Sequence, residues 1–153
     1  MTNIVAIKRD LHATFAIKDL GKEIVRSHQG IFVNQKKYIL NILKDTGMTE
    51  AKTAPFPLPE GLHLSLEVGE VLSDPSSYRR LVERLLYLNF TRPNISYSVQ
   101  HLRQFFQQPR QPHYQATLRV LRYLRRTYNK GLFHSKVSNL QLQAYNDVDW
   151  GTC

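Results

Sequence analysis

The 153-residue sequence predicts an α+β fold that is mostly helical. Over most of its length, apolar residues recur at spacings of three and four, which is the period of one helix face. Two short β-rich runs surround a glycine-containing turn near residues 23–33, and two further runs follow residue 130. We therefore expect an N-terminal helix and β-hairpin, then a series of helices, and a C-terminal β-hairpin.

The first half of the chain predicts two helices around the hairpin. Residues 3–15 carry one amphipathic face, and because this pattern begins almost at Met1, we expect a chain cut from a longer one. After the hairpin, Asn34 is the expected N-cap of a second helix, which Gly47 would close. The apolar face of that helix consists of Tyr38, Ile39, Ile42 and Leu43.

A proline-rich segment follows at residues 51–72. It contains three prolines and two glycines without a sustained apolar period, so it predicts a linker or surface loop. The chain would then divide into residues 1–50 and 73–153.

Three consecutive helices are expected after this segment. Asp74 and Pro75 supply an N-cap and a proline at the first helical position, while Pro93 and Pro112 begin the next two helices. We expect their core to contain Leu81, Leu85, Leu86, Val99, Leu102, Leu118 and Leu121. Residues 131–135 and 140–147 would be the two strands of the terminal hairpin.

Composition excludes several classes of protein. No apolar run approaches the ~20 residues of a membrane span, and charged residues in the first fifteen positions argue against a secretory signal. The single cysteine, Cys153, excludes an intrachain disulfide. We expect a cytoplasmic or nuclear protein that does not bind membranes.

The net charge of +9 lies almost entirely in the second half. Residues 1–83 hold 11 Lys and Arg against 10 Asp and Glu, whereas ten basic residues and no acidic one occur from Arg84 to Lys136. Such a polycation favours binding to a polyanion, most commonly nucleic acid. The alternative is a basic face that serves only solubility.

The basic residues of the last predicted helix and its flanks are the candidate nucleic-acid contacts. Arg119, Arg122 and Arg126 share one helix face, because they are spaced by three and four residues. The full candidate set is Arg103, Arg110, Arg119, Arg122, Arg125, Arg126 and Lys130. The nearby tyrosines Tyr114, Tyr123 and Tyr128 could stack on bases, although we expect each to be a core residue.

Asp147 and Asp149 stand two residues apart on an apparent strand at the end of the sequence, so both side chains would point to the same side. A pair of carboxylates can bind a divalent metal, but a site for phosphodiester chemistry needs more of them. The six histidines are scattered without metal-ligand spacing. We therefore expect no cofactor and no metal site.

Several strings in this order resemble the Pol polyprotein of copia-type LTR retrotransposons, which are abundant in plants. They are FAIKDLG, GIFVNQKKYILNILKDTGM, DPSSYRRLVERLLYLNFTRPNISYSVQHLRQF, QATLRVLRYLRRT, GLFHS and LQLQAYNDVDW. Together they cover nearly the whole chain.

The resemblance implies a reverse transcriptase segment that runs into the start of RNase H. Residues 1–50 would be the residual palm helix, hairpin and following helix, 51–72 the linker, 73–130 thumb and connection helices, and 131–153 the truncated opening of an RNase H-like domain. The Tyr-x-Asp-Asp polymerase motif is absent. Asp147 matches the first RNase H aspartate, but that site is incomplete. Mg²⁺ would bind there only if another chain completed it, so we expect no enzyme activity from this chain alone.

Three departures from the family pattern change the charge. Arg126 stands where the family usually has glycine, and Arg103 where a small polar residue is common. Asn94 replaces a usual aspartate in the string TRPNIS. All three changes make the segment more positive.

Three functional hypotheses follow. The first is a module that binds RNA–DNA hybrid or duplex without sequence preference. The second is a host-adopted interaction or inhibitory module that binds another protein chain through exposed apolar helix faces. The third is a relic with no selected role.

Overall fold

The computed structural model of the protein describes residues 23–137. The predicted helix at residues 3–15, the predicted strand at 140–147 and both terminal aspartates lie outside this range. The predicted α+β, mostly helical fold class is confirmed within it. Five residues or fewer form each strand, whereas the three longest helices contain 10, 14 and 17 residues.

A three-stranded antiparallel sheet joins the two ends of the described chain. The predicted hairpin is present as β1 (Glu23–Arg26) and β2 (Gly30–Asn34), and β3 (Leu132–Ser135) pairs with the other edge of β2. Gly30 lies opposite β3 so closely that a Cβ there would meet the backbone oxygen of His134 at 2.2 Å. The sequence predicted that residues 131–135 pair with the strand after them. That later strand lies outside the described residues, and the structure shows a partner that the sequence did not predict, β2, about a hundred residues earlier in the chain.

Helix α1 (Lys36–Asp45) follows β2 directly. The N-cap position belongs to Gln35, one residue later than the predicted Asn34. Asn34 nevertheless supplies the cap bond, because its Oδ1 accepts the N–H of Lys36 at 3.0 Å. At the other end Gly47 has a φ of 66°, the left-handed conformation that glycine adopts without strain, and the helix ends there as predicted.

Residues 46–74, which include the predicted linker or loop at 51–72, contain no helix or strand, but they pack against the rest of the described structure. Leu58, Leu62 and Leu64 contact the hydrophobic core. The backbone of this segment bonds to the last helix and the residues before it: the Ala54 N–H donates to the carbonyl of Arg122 at 3.3 Å. We call residues 46–74 the strap, because they lie along the last helix.

The three predicted helices after the strap are present. They are α2 (Pro75–Leu88), α3 (Ser96–Arg103), which a single 3₁₀ turn (Pro93–Ile95) precedes, and α4 (Gln111–Thr127). Asp74 caps α2 as predicted, since its Oδ1 accepts the N–H of Ser76 at 3.0 Å. Phe105, just after α3, stacks on His113 at the start of α4, so the end of α3 lies beside the start of α4.

One core joins α1, α2, α3 and α4. Of the predicted core residues, Leu81, Leu85, Val99, Leu102 and Leu121 are buried. Leu86 and Leu118 are only half-buried and pack against the edge of this cluster. No helix within residues 23–137 combines the length and the apolar character needed to cross a membrane.

Candidate nucleic-acid interface

Helix α4 has one buried face and one basic face. The buried face fills the core with small and branched side chains and includes His113, Ala116, Thr117, Val120, Leu121, Leu124 and Thr127. Pro112 in the first turn suits a position whose N–H has no helical partner. The opposite face carries Gln115 and Arg126, which are exposed, and Arg119 and Arg122, which are half-buried.

Arg119, Arg122 and Arg126 therefore lie side by side on α4, as predicted from their spacing, and we call them the arginine stripe. From the first to the last the helix rises about 10 Å. The Nε atoms of Arg119 and Arg122 are shielded and have no hydrogen-bond partner within the described structure. A ligand would consequently meet the terminal guanidinium nitrogens, while the stems cover apolar surface.

Two of the predicted contacts, Arg110 and Arg125, bind the strap instead. The guanidinium of Arg110 donates to the carbonyl of Gly69 at 2.6 Å and also to that of Leu66. Arg125 donates to the carbonyl of Ala51 and lies 3.3 Å from a carboxylate oxygen of Glu50. Both arginines thus hold the irregular segment against α4 and are not part of the stripe.

The remaining two predicted contacts lie at opposite ends of the α3–α4 pair. Arg103 is exposed in the last turn of α3, near the start of α4. Lys130 is exposed just beyond the end of α4, four residues after the end of the stripe at Arg126. They extend the basic surface without belonging to one compact site.

Arg92, one of the ten basic residues of the acid-free region, is buried, with 2% of its surface exposed. Its guanidinium donates to the carbonyl and to the hydroxyl of Thr127, at 2.8 and 2.6 Å. The carbonyl belongs to the last turn of α4, where it also accepts the backbone N–H of Lys130 at 3.0 Å. Burial lowers the pKa of Arg92, and the nearby hydroxyl of Tyr123 opposes that shift.

Asn94 connects Arg92 to Tyr123 through its side-chain amide. Its Oδ1 accepts the Nε–H of Arg92 at 3.3 Å, and its Nδ2 donates to the hydroxyl of Tyr123 at 2.5 Å. No carboxylate is within ion-pair distance of Arg92 in the described structure. The buried charge is therefore balanced only by neutral oxygens.

Asn94→Asp is expected to raise the free energy of unfolding by about 1 kcal/mol. A carboxylate at this position turns the bond between the Arg92 cation and a neutral oxygen into an ion pair, which adds charge attraction to the same contact. The gain stays small because residue 94 itself is exposed and partly screened. Urea denaturation measures the change, and Asn94→Ala is the control that should lose stability. The idea is wrong if Asn94→Asp destabilises as much as Asn94→Ala.

A second buried polar residue, His113, connects α4 to the strap. Its Nδ1 accepts the backbone N–H of Arg110 at 2.9 Å, and its Nε2 lies 3.0 Å from the carbonyl of Ser65. Nε2 must therefore carry the only ring proton, which makes the ring neutral. Burial lowers the pKa of His113, and although the Ser65 bond opposes the shift, electrostatic interactions with Arg110 and His101 add to it.

The three tyrosines near the stripe are half-buried and pack against the core. Tyr123 uses its hydroxyl to contact Asn94, and the ring of Tyr128 lies 5.5 Å from the ammonium of Lys36. The prediction that tyrosines of α4 belong mainly to the core therefore agrees with their packing. No group of three or more His, Cys, Asp or Glu suited to a metal ion occurs among residues 23–137.

Comparison with known proteins gives a consistent set of relatives. The Pol polyproteins of transposons RE1 and RE2 from Arabidopsis thaliana are each 43% identical to the chain, over 148 and 131 residues. These matches cover 92% and 86% of the chain but only 10% and 9% of the relatives. The chain thus spans about a tenth of these relatives' length.

Shorter relatives match as well. An uncharacterized mitochondrial protein of Arabidopsis thaliana is 38% identical over 150 residues, which are 94% of the chain and 62% of that protein. No protein-family model matches the chain. No solved structure matches it either.

Proposed function

The chain belongs to the copia-type retrotransposon Pol family, and from this membership we propose that it is a nucleic-acid-binding module without sequence preference. Its ligand would be the sugar–phosphate backbone of an RNA–DNA hybrid or duplex. The module would carry out no polymerase or RNase H reaction by itself, because a two-metal reaction needs a set of carboxylates.

The observation that carries this proposal is the arginine stripe on α4. Three guanidinium groups lie along about 10 Å of one helix face, and the phosphates of one duplex strand advance 3.4 Å each along the axis, so the stripe matches roughly three phosphates. Arginine forks bind phosphate oxygens in pairs. No base-reading requirement follows from such contacts, since phosphates carry no sequence information.

The surrounding charge supports the same ligand. Besides Arg92 and Arg110, which bind neutral oxygens, six cations of the acid-free region have no acidic partner in the described structure, namely Arg103, Arg119, Arg122, Arg126, Lys130 and Lys136. The next carboxylate after Glu83 in the sequence is that of Asp147. Residues 84–136 therefore carry a net positive charge, which attracts polyanions over about a Debye length, ~8–10 Å at physiological salt.

Replacing all three stripe arginines by glutamine is expected to weaken binding by a similar factor for every nucleic-acid sequence. Three lost phosphate contacts should reduce the slope of log affinity against log salt by roughly 2 to 3 units. Fluorescence anisotropy with hybrid, duplex and single-stranded probes at several salt concentrations measures both quantities. The fold should persist, because exposed or half-exposed substitutions of this kind change stability little.

The matched control removes the same charge elsewhere, at the exposed residues Arg26, Lys44 and Arg80. This triple glutamine variant should retain most of the affinity and most of the salt slope. Equal losses in the two variants would mean that net charge alone acts, and the stripe would not be a site. Wild-type binding that does not change with salt would overturn the whole proposal.

A second candidate function is association with another protein chain, and the sheet favours it. Ile24, Val25 and Phe133 are all more than half exposed, and Ile24 projects from the opposite face to the other two. Apolar side chains exposed on both faces of a small sheet favour association. Light scattering tests this: a monomer at all concentrations, with no partner in a pull-down, argues against an interaction module.

A further inference from the structure

We propose that Tyr97 and His101 on α3 form a stacking platform for one unpaired base of a single-stranded nucleic acid. This inference rests on the proposed function, because a base would reach the platform from a backbone bound nearby. It adds a second kind of contact, since the stripe meets phosphates and the platform would meet a base face.

The platform is built on a ladder of four rings. Tyr97 meets His101 edge-on, with ring centroids 6.2 Å apart. His101 lies tilted over Phe105 at 5.9 Å, and Phe105 stacks on the buried His113 at 3.8 Å. The outermost ring is therefore attached to the core through ring contacts, and this support limits the entropy lost when a base binds.

Tyr97 is 80% exposed, which is unusual for so large an apolar side chain. It lines a shallow groove of about 290 Å³ together with His101, Gln100 and Gln104. Two carboxamides beside an aromatic ring suit a nucleobase, because each amide can both donate and accept on a base edge. Aromatic faces that accept any base are how sequence-tolerant single-strand binders hold their ligand.

The position of the groove also favours this occupant. Asn94, three residues before Tyr97, donates to Tyr123, and Tyr123 lies between Arg119 and Arg126 on α4. The groove and the stripe therefore lie on neighbouring elements of one acid-free region. A base within a duplex cannot use such a surface, because both of its faces are already stacked.

The test compares two DNA probes that carry the same number of phosphates. Each is a short duplex with an overhang of about four nucleotides, and the overhang has bases in one probe and abasic sites in the other. We expect the wild type to bind the base-bearing probe about tenfold more tightly. Tyr97→Ala should remove this ratio and leave binding to the abasic probe unchanged, whereas Tyr97→Phe should keep it.

Phe56→Ala is the matched control, since Phe56 is another aromatic residue, 65% exposed on the strap. It should leave the ratio as in the wild type. A wild-type ratio near one, with salt-dependent binding of both probes, overturns the platform while the proposed function stands. Absence of binding to either probe overturns both.

Discussion

Arg92→Ala is expected to lower the free energy of unfolding by about 3 kcal/mol or more. The change leaves a cavity where a large buried side chain was, and it removes the two hydrogen bonds of the charged guanidinium to Thr127. The Thr127 carbonyl keeps the N–H of Lys130 and the Thr127 hydroxyl keeps its bond to Tyr123, so the loss comes from the cavity and the two charged hydrogen bonds. The last turn of α4 also loses a cation beside its negative end. Urea or thermal denaturation, followed by circular dichroism, measures the loss.

Arg92→Lys serves as the companion variant. Lysine keeps the charge, but a single ammonium cannot replace the two-pronged contact with Thr127, so an intermediate loss is expected. Arg103→Ala, on an exposed arginine, should change stability by less than ~0.5 kcal/mol. A loss below about 1 kcal/mol in Arg92→Ala would mean that the buried guanidinium is not a structural element.

His113→Ala is the second change with a large expected effect, about 2 to 4 kcal/mol at neutral pH. It removes the partners of the Arg110 N–H and the Ser65 carbonyl together with the ring stacked on Phe105. Because these bonds connect α4 to the strap, proteolysis within residues 46–74 should become faster. Limited proteolysis and denaturation measure the two effects.

The pH dependence separates His113 from an ordinary core residue. Its pKa is lowered in the folded protein, so the unfolded chain binds the extra proton more readily. The stabilisation is fully present above the ordinary histidine pKa of about 6.5 and is lost as pH falls below it, toward the folded-state pKa. The wild type should therefore lose stability between about pH 7.5 and 5.5.

In His113→Ala the loss of stability between about pH 7.5 and 5.5 should disappear. His134→Ala, on an exposed histidine of β3, should keep it. If the free energy of unfolding depends on pH equally in the wild type and in His113→Ala, another group causes that dependence. The neutral ring of His113 would then not explain the loss of stability at low pH.

Local patterns were sufficient for most elements of the described fold. Helix α2 follows from an aspartate cap, a proline in the first turn and an apolar stripe, all within fifteen residues. The hairpin of β1 and β2 follows from two β-rich runs around a short turn. These elements depend on interactions between residues close in sequence, and such interactions leave a periodic or positional signal.

The pairing of β3 could not be predicted in the same way. Its partner β2 lies about a hundred residues earlier, and a strand with apolar alternation can pair with any free edge. The sequence suggested the nearest downstream run as the partner. Only the packing of α1 and α4 brings the two distant strands together.

The candidate site likewise has features that the sequence predicts and features that depend on long-range contacts. The sequence alone determined the family resemblance, the acid-free second half and the common face of Arg119, Arg122 and Arg126, because charge and spacing are read directly from the residues. The tertiary structure decided which other arginines could still meet a ligand. Arg92, Arg110 and Arg125 are held by carbonyl oxygens of residues 35 to 74 positions away. Every residue has such a carbonyl, so these bonds have no sequence signature, and only the folded chain shows which acceptors lie within reach.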